Sequence, residues 1–590
     1  MQARALLWGC CLAGGLLASD SSIPIADFDG PNPLDGWTAA RGGSLTLGPG
    51  HAGRGALLAY RFDGGGEAAA VWTPAKPLAV KHRAALSLWI RSRAEVKLAA
   101  VVHDRNGETR RYPFEAVTLE HPEGDWREVV IPLAAESTGY GDRDHNGAPE
   151  GRIVSLGILA EARYPGAVRG SVGFDDVRLL GSPDQTLLAL RADMAVTPPP
   201  AGAGHLAPRW GVNIHVLSDA SAVDAAHAAG FSFFRLDLLW RDVERNGRYR
   251  FFAYDRLLTA LEARGMGALW ILDYGHPQHG GDVPRRTDDV AAFARYAEAV
   301  AGHFRGRNVR YEVWNEPDTE RFWPPGPNAA EYAALLGPAV AAIHRADPAA
   351  RVAVGGMARI DLPFLREIIA AGAAFDAVGV HPYRKAGPEG VAAELPLVRQ
   401  LLGANLGARL VGGTEIWDTE WGYASYDYFS QNLRGDGHSA QGRKRQAVLG
   451  CREALTVWAL GLPVAVWYDL RDDGDDGRNP EHNYGLLDRQ NGDKPAMEAM
   501  RTLTHTADGH TFAGMLRDVP DGAHAMRLDG PSGRIYVVWN EQPDARLTVR
   551  VSTEGFVSAT NLFGEPLKLK KNEIALEEID GPVYLEFSAR

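Results

Sequence analysis

Two glutamates, each closing an apolar run beside a tryptophan, are the residues in this sequence best placed to do chemistry. Tyr311-Glu312-Val313-Trp314-Asn315-Glu316-Pro317-Asp318 reads as a strand that ends in a carboxylate next to an amide, with proline stopping the ladder at once. Asp418-Thr419-Glu420-Trp421-Gly422 closes a second such run. Cleaving an acetal C–O bond of the glycosidic type needs two carboxyl groups in different states. One holds a proton for the leaving oxygen, and the other is ionised to attack carbon or activate water. Glu316 and Glu420 are far apart in the chain, so only a closed scaffold can face them. A second Trp-Asn-Glu, at Trp539-Asn540-Glu541, has Gln542 where the first has proline and no second carboxylate to work with; it reads as a turn after a strand.

The scaffold is legible from Trp210 onward, where strand and helix patterns alternate. Candidate strands are 210–215, 231–236, 268–273, 309–315, 352–356, 377–381, 416–420 and 464–468. Amphipathic runs lie between them, and 495–503 closes the series. Eight such units predict a (β/α)8 TIM barrel over residues 209–505; a doubly wound open sheet has no need of eight repeats. Barrels of this kind work at the C-terminal ends of their strands. Those ends carry His215, Arg235 with Asp237, Asp273, Asn315 with Glu316, His381 with Tyr383, Glu420, and Trp467 with Tyr468. Within the seventh strand, Glu415 and Asp418 are rivals to Glu420. Glu415 falls on the other strand face and lower, and Asp418 shares the parity of Glu420 one layer deeper. Asp237 and Asp273 read as structural partners of Arg241 or of loop amides.

Short alternating runs broken by Gly and Pro over residues 23–182 predict an N-terminal β-sandwich. With Ile25-Ala26-Asp27-Phe28-Asp29-Gly30 at its start and Gly173-Phe174-Asp175-Asp176-Val177-Arg178-Leu179 at its end, it resembles jelly-roll carbohydrate-binding modules. Trp72, Trp89 and Trp126 could serve as sugar platforms, with core packing the favoured role. Residues 183–208, including Thr197-Pro198-Pro199-Pro200, read as a linker, and 508–590 as a small C-terminal β-sandwich. Residues 1–19 read as a secretory signal peptide, which implies a secreted or periplasmic protein. Loss of Cys10 and Cys11 with that segment leaves Cys451 alone, so no intramolecular disulfide is expected.

The net charge of −12 speaks against nucleic-acid and anionic-membrane partners, and no run beyond the leader is long and apolar enough for a membrane span. Asp142-Arg143-Asp144-His145-Asn146-Gly147 opens like a calcium loop but has Ile153 at its twelfth position, so a polar loop without metal is expected. Asp472-Asp473-Gly474-Asp475-Asp476 reads as a solvated rim of the cleft, and no paired-His spacing suggests zinc. No metal or organic cofactor is expected.

Trp314-Asn315-Glu316-Pro317-Asp318, His381-Pro382-Tyr383, Thr419-Glu420-Trp421-Gly422 and Glu481-His482-Asn483-Tyr484-Gly485-Leu486 together resemble the retaining clan-A glycoside hydrolases, nearest to family 39-like enzymes. That resemblance spans about Trp210 to Leu503. It implies that Glu316 is the acid/base and Glu420 the nucleophile of a β-glycosidase acting on a polysaccharide or oligosaccharide by double displacement. It further implies that Asn315 bonds the sugar 2-hydroxyl, that Arg235 and Tyr383 keep Glu420 ionised, and that Trp467 floors the subsite. His215 and His381, without a zinc-type spacing, are expected to hydrogen-bond the substrate. Trp323, Trp417, Trp421, Tyr423, Tyr426, Tyr428 and Phe429 suggest an extended stacking cleft and endo action on an extracellular polysaccharide, or else the packing of loops. Two other readings stay open: an inert-barrel carbohydrate-binding surface protein, and an inverting hydrolase.

Overall fold

The computed structural model describes residues 22–589 apart from 64–65, 80–84, 93–95, 106–108, 115–125, 134–137, 141–151, 163–166, 181–186, 200–208, 216, 218–221, 385–386, 407–412, 427–436, 521 and 542–545. The segment 1–19 read as a leader and the calcium-like loop at 142–147 fall outside the described residues.

Eight parallel strands close into a barrel: β1 (Arg209–Asn213), β2 (Phe233–Leu239), β3 (Gly267–Asp273), β4 (Val309–Asn315), β5 (Val352–Met357), β6 (Ala377–Val380), β7 (Glu415–Trp421) and β8 (Val464–Trp467). A helix follows each strand, and several are capped as their sequences ask. Asn328, Asp361 and Ser439 each accept a backbone N–H of the first turn, from Glu331, Phe364 and Gly442. Phe233, Leu269, Ala353, Ala377, Trp417, Val464 and Val466 fill the barrel interior, while a larger apolar layer joins strands to helices. Among the described residues, no helix is long and apolar enough to cross a membrane.

The N-terminal domain is a sandwich of two antiparallel sheets, one running 127–132, 85–91, 167–180, 54–63, 44–49 and the other 138–140, 109–114, 96–104, 152–162, 67–72, 37–40. Leu58, Leu88, Ile90, Leu98, Ile158 and Phe174 fill the space between them. Of the three candidate platform tryptophans, only Trp72 packs against this core. Trp89 alternates with the buried Leu88 and Ile90 and stacks on His51 at 3.4 Å on the outer face. Trp126 lies over Gly55 and Gly173 on that same face.

The C-terminal sandwich is larger than its own stretch of chain. Leu187–Leu190 pairs in parallel with Leu547–Val551, and Val196–Thr197 pairs with Thr511–Leu516. The stretch read as a linker therefore contributes two strands, because Leu188 and Leu190 bury their side chains in that domain's core. The sandwich also shares the barrel's apolar layer through Phe512, Met526, Leu528, Val537, Trp539 and Tyr584.

Candidate active site

Arg235 organises the strand ends. Rising from β2 and 1% exposed, it has an acceptor for each of its five N–H groups. Nε and Nη2 donate to the Glu312 carboxylate at 3.2 and 3.1 Å, and Nη2 also donates to Asn315 Oδ1 at 2.9 Å. Nη1 donates to Asn213 Oδ1 at 3.0 Å and to Glu420 Oε2 at 2.6 Å. One guanidinium thus ties β1, β2, β4 and β7 together at the height of the site. Because Asn315 spends its oxygen on Arg235, its N–H2 end is left to donate elsewhere.

Glu420 reaches this network through an irregularity. Trp417 lies inside the barrel, so strict alternation would send Asp418 and Glu420 outward. Asp418 does go outward, fully buried towards Glu453 of the helix Ala440–Ala459. Between Asp418 and Trp421 the register against β8 shifts, and this bulge turns Glu420 back to the interior. The shared parity expected of Asp418 and Glu420 is broken there. Glu415 sits at the opposite end of the strand, bonded to Trp417 Nε1 at 2.7 Å. Tyr383 Oη donates to the second oxygen of Glu420 at 3.0 Å. Burial alone would raise the carboxyl's pKa, but His381, Arg235 and Tyr383 outweigh it and hold Glu420 below the usual glutamate value.

Glu316 follows β4, where Trp314 and Glu316 both take left-handed backbone with φ of 73° and 46°. Such conformations cost about 1 kcal/mol or more each in non-glycine residues. Here they turn Asn315 toward Arg235 and Glu316 toward His381. The Glu316 amide donates to Gly356 O at 2.9 Å, and its carboxylate faces His381 Nδ1 at 3.1 Å. His381 is fully buried, and its ring occupies the space a side chain at residue 356 would need. A Cβ there would approach Nε2 to 1.9 Å, so β5 must carry glycine. His381 Nδ1, which faces Glu316, is also 3.9 Å from Glu420 Oε2, and one oxygen from each glutamate and one His381 nitrogen all lie within 4.8 Å of one another. Burial opposes a charge on His381, but the facing Glu420 and Glu316 raise its pKa.

On the β8 side of the mouth, His215 Nε2 is 3.1 Å from Tyr468 Oη and 3.5 Å from one oxygen each of Asp469 and Asp473. Burial would lower this imidazole, yet Asp469, Asp473 and Asp237 carry it up to about 9. Asp237 and Asp273 face each other rather than Arg241. Burial raises both, and the Asp237 carboxylate pushes Asp273 further up. Trp467 does not floor the mouth: it is 4% exposed, points outward onto Gly450 of the helix Ala440–Ala459 and donates to Tyr484 O. Tyr468, the next residue, takes the inward position, with its ring 6.2 Å from that of Tyr383.

His215, Arg235, Asn315, Glu316, His381, Tyr383 and Glu420 are therefore brought together, and Trp467 is not. Four of the seven aromatics of the expected stacking row are withdrawn into the core. Trp323, Trp417, Trp421 and Tyr423 are all buried, with Trp323 packed on Trp314 and Tyr332 and Trp421 beneath the Arg384 guanidinium. Tyr428 and Phe429 lie outside the described residues. Sequence reasoning missed Asn213, Glu312 and Asp469. Glu312 alone left a signal, a carboxylate inside an apolar strand pattern two residues before Trp314.

Among the described residues, three clusters bring His and carboxylates close enough for a metal ion. At Glu316, His381 and Glu420 the oxygens already accept from Arg235, Tyr383 and His381. In the cluster of Glu389, His524 and Glu541, Glu389 is taken by Arg452 and Trp539. His215 with Asp469 and Asp473 is the third, described above.

No family model matches the sequence, and no curated protein matches it either. Solved structures do share the architecture. A family 39 glycoside hydrolase from Bacteroides cellulosilyticus WH2 aligns with TM-score 0.55 and 17% identity over 84% of this chain and 96% of its own. A family 39 enzyme from Xanthomonas axonopodis pv. citri aligns at 0.48 and 18% over 70% of this chain and 98% of its own. The first likeness establishes a shared fold, the TIM barrel with flanking β domains.

Proposed function

We propose that the protein is a retaining β-glycoside hydrolase acting on a polysaccharide or oligosaccharide. The observation that carries this reading is the approach of the Glu316 and Glu420 oxygens to within 4.8 Å of each other across His381. Direct attack by one carboxylate uses a separation of about 5–5.5 Å between carboxyl groups, whereas an inverting pair stands about 6.5–9.5 Å apart to admit a water. The family 39 identity of a structure with the same fold supports the reading further. An inert barrel offers no account of why five donors of a buried arginine and a tyrosine hydroxyl converge on the network around Glu420.

In this mechanism Glu420, kept ionised by His381, Arg235 and Tyr383, attacks the anomeric carbon while Glu316 protonates the leaving oxygen. The covalent glycosyl–enzyme is then hydrolysed by a water whose proton returns to Glu316. The free N–H2 of Asn315 is the donor for the sugar 2-hydroxyl. Export by way of the leader at residues 1–19 belongs to the same proposal, and the N-terminal sequence of secreted protein tests it. With four of the aromatic row buried, endo action draws no support from them.

Incubation with an activated 2-deoxy-2-fluoro glycoside and peptide mass spectrometry tests the assignment. A glycosyl adduct on Glu420, with products of retained anomeric configuration by NMR, is expected. An adduct elsewhere, or inverted products, would overturn it.

A further inference from the structure

The wall of the cleft on the β8 side is unevenly charged, and on the hydrolase reading above, on which this inference rests, that wall meets the sugar bound over Glu420. Tyr383 donates to Glu420, Tyr468 packs edge-on against Tyr383, and the Tyr468 hydroxyl contacts His215. His215 in turn lies between Asp469 and Asp473. This chain of contacts leads outward from Glu420 to Asp469 and Asp473.

Among the described residues, the cations nearest this chain of contacts are already committed. Arg235 has no N–H to spare, and His381 is buried between Glu316 and Glu420. Lys494 is buried on Asp472 and Asn483 O. His215 is shared by two carboxylates, one of which, Asp473, has a side chain 40% exposed. Asp237 and Asp273 add a further carboxyl pair on the neighbouring strands. A sugar carboxylate entering here would meet Asp473 and Asp469 with, among the described residues, only the shared His215 to offset it, and such like-charge contact is strongly unfavourable. Sugar hydroxyls meet no such cost, since they donate to the carboxylates and accept from His215 and Tyr468.

We propose that the wall formed by His215, Tyr468, Asp469 and Asp473 selects a sugar whose outer edge is uncharged and hydroxyl-bearing and rejects a uronic acid there, with Asp473 as the specificity-determining residue. Replacing Asp473 by Asn removes one of the two carboxylates on His215 and leaves an imidazolium facing the cleft. That change should favour a uronate.

The experiment compares kcat/KM of the full chain on aryl β-glycosides and aryl β-glucuronides with the same leaving group. Neutral and uronate polysaccharides, scored by new reducing ends, form the parallel arm. The wild type should prefer neutral substrates by about 100-fold or more, a ratio compressed by added salt. D473N should narrow that ratio by about tenfold, mainly through KM of the uronide, and Asp473→Ser should do the same should D473N fold poorly. Equal or better cleavage of uronides by the wild type overturns the proposal, as does an unchanged ratio in correctly folded variants. Fluoroglycoside labelling of Glu420 separates the two failures. Labelling without selectivity sinks this proposal alone, whereas absence of both labelling and cleavage sinks the hydrolase reading and this inference with it.

Discussion

The chain contains the tripeptide Trp-Asn-Glu twice, and the two copies have nothing in common beyond ending a strand. At 314–316 the backbone is left-handed on either side of Asn315, the amide is bound to Arg235 and the glutamate faces a buried histidine. At 539–541 the indole donates to Glu389 at 2.8 Å, the amide reaches Leu576 O, and Glu541 bonds His524, whose ring stacks on Trp539. Glu389 is itself gripped by Arg452 through two bonds of 2.8 Å. The second copy thus clamps the C-terminal sandwich to the barrel, while the first holds the glutamate we propose as proton donor. What a tripeptide does depends on the charges it faces.

Substitutions should separate the two roles, and the largest effect belongs to the site. Glu420→Gln should lower kcat by about four orders of magnitude or more with the melting temperature nearly unchanged. Glu316→Gln should cost about 10²–10⁴-fold on ordinary glycosides yet spare the glycosylation burst with good leaving groups. A uniform loss on both kinds of substrate would argue against its role as acid. Trp539→Ala should behave in the opposite sense, with stability falling by about 3–5 kcal/mol in denaturant titration while kcat at low temperature holds. A large loss of kcat in the folded variant would erase the contrast.

Smaller effects sharpen it. Tyr383→Phe removes a donor from Glu420, whose pKa is depressed; the acidic limb of the kcat/KM profile should therefore move to higher pH. Glu541→Gln, which loosens a partly exposed pair with His524, should change stability by about 1 kcal/mol or less and leave kcat alone. His215 is raised to about 9, so its contribution to stability is complete below its ordinary value of 6.5 and is lost as pH rises through about 9. The advantage of wild type over His215→Gln in thermal melts should shrink across that window.

Much of the barrel was legible because its signal is local. Alternating apolar strands and amphipathic helices have their own periods, and carboxylates at strand ends stand out against them. Arg235, Asn315, His381 and Tyr383 could be named because strand ends are where a barrel works. Trp467 was misplaced because adjacent residues on a strand face opposite ways, and one step of parity separates it from Tyr468. The two strands in 187–197 were invisible because their partners lie more than 300 residues away, and a short apolar run carries no record of what it will pair with.

By itself, the sequence determined the periodicity, the number of βα units and the chemical types at the strand ends, since all of these follow from neighbours in the chain. Only the tertiary structure decided that Glu420 turns inward at a bulge while Asp418 turns out, that one arginine binds four strands at once, and that Glu316 and Glu420 meet across His381. The reason is physical: a side chain's direction and ionisation state are set by groups brought close through closure of the barrel, and no local pattern encodes them.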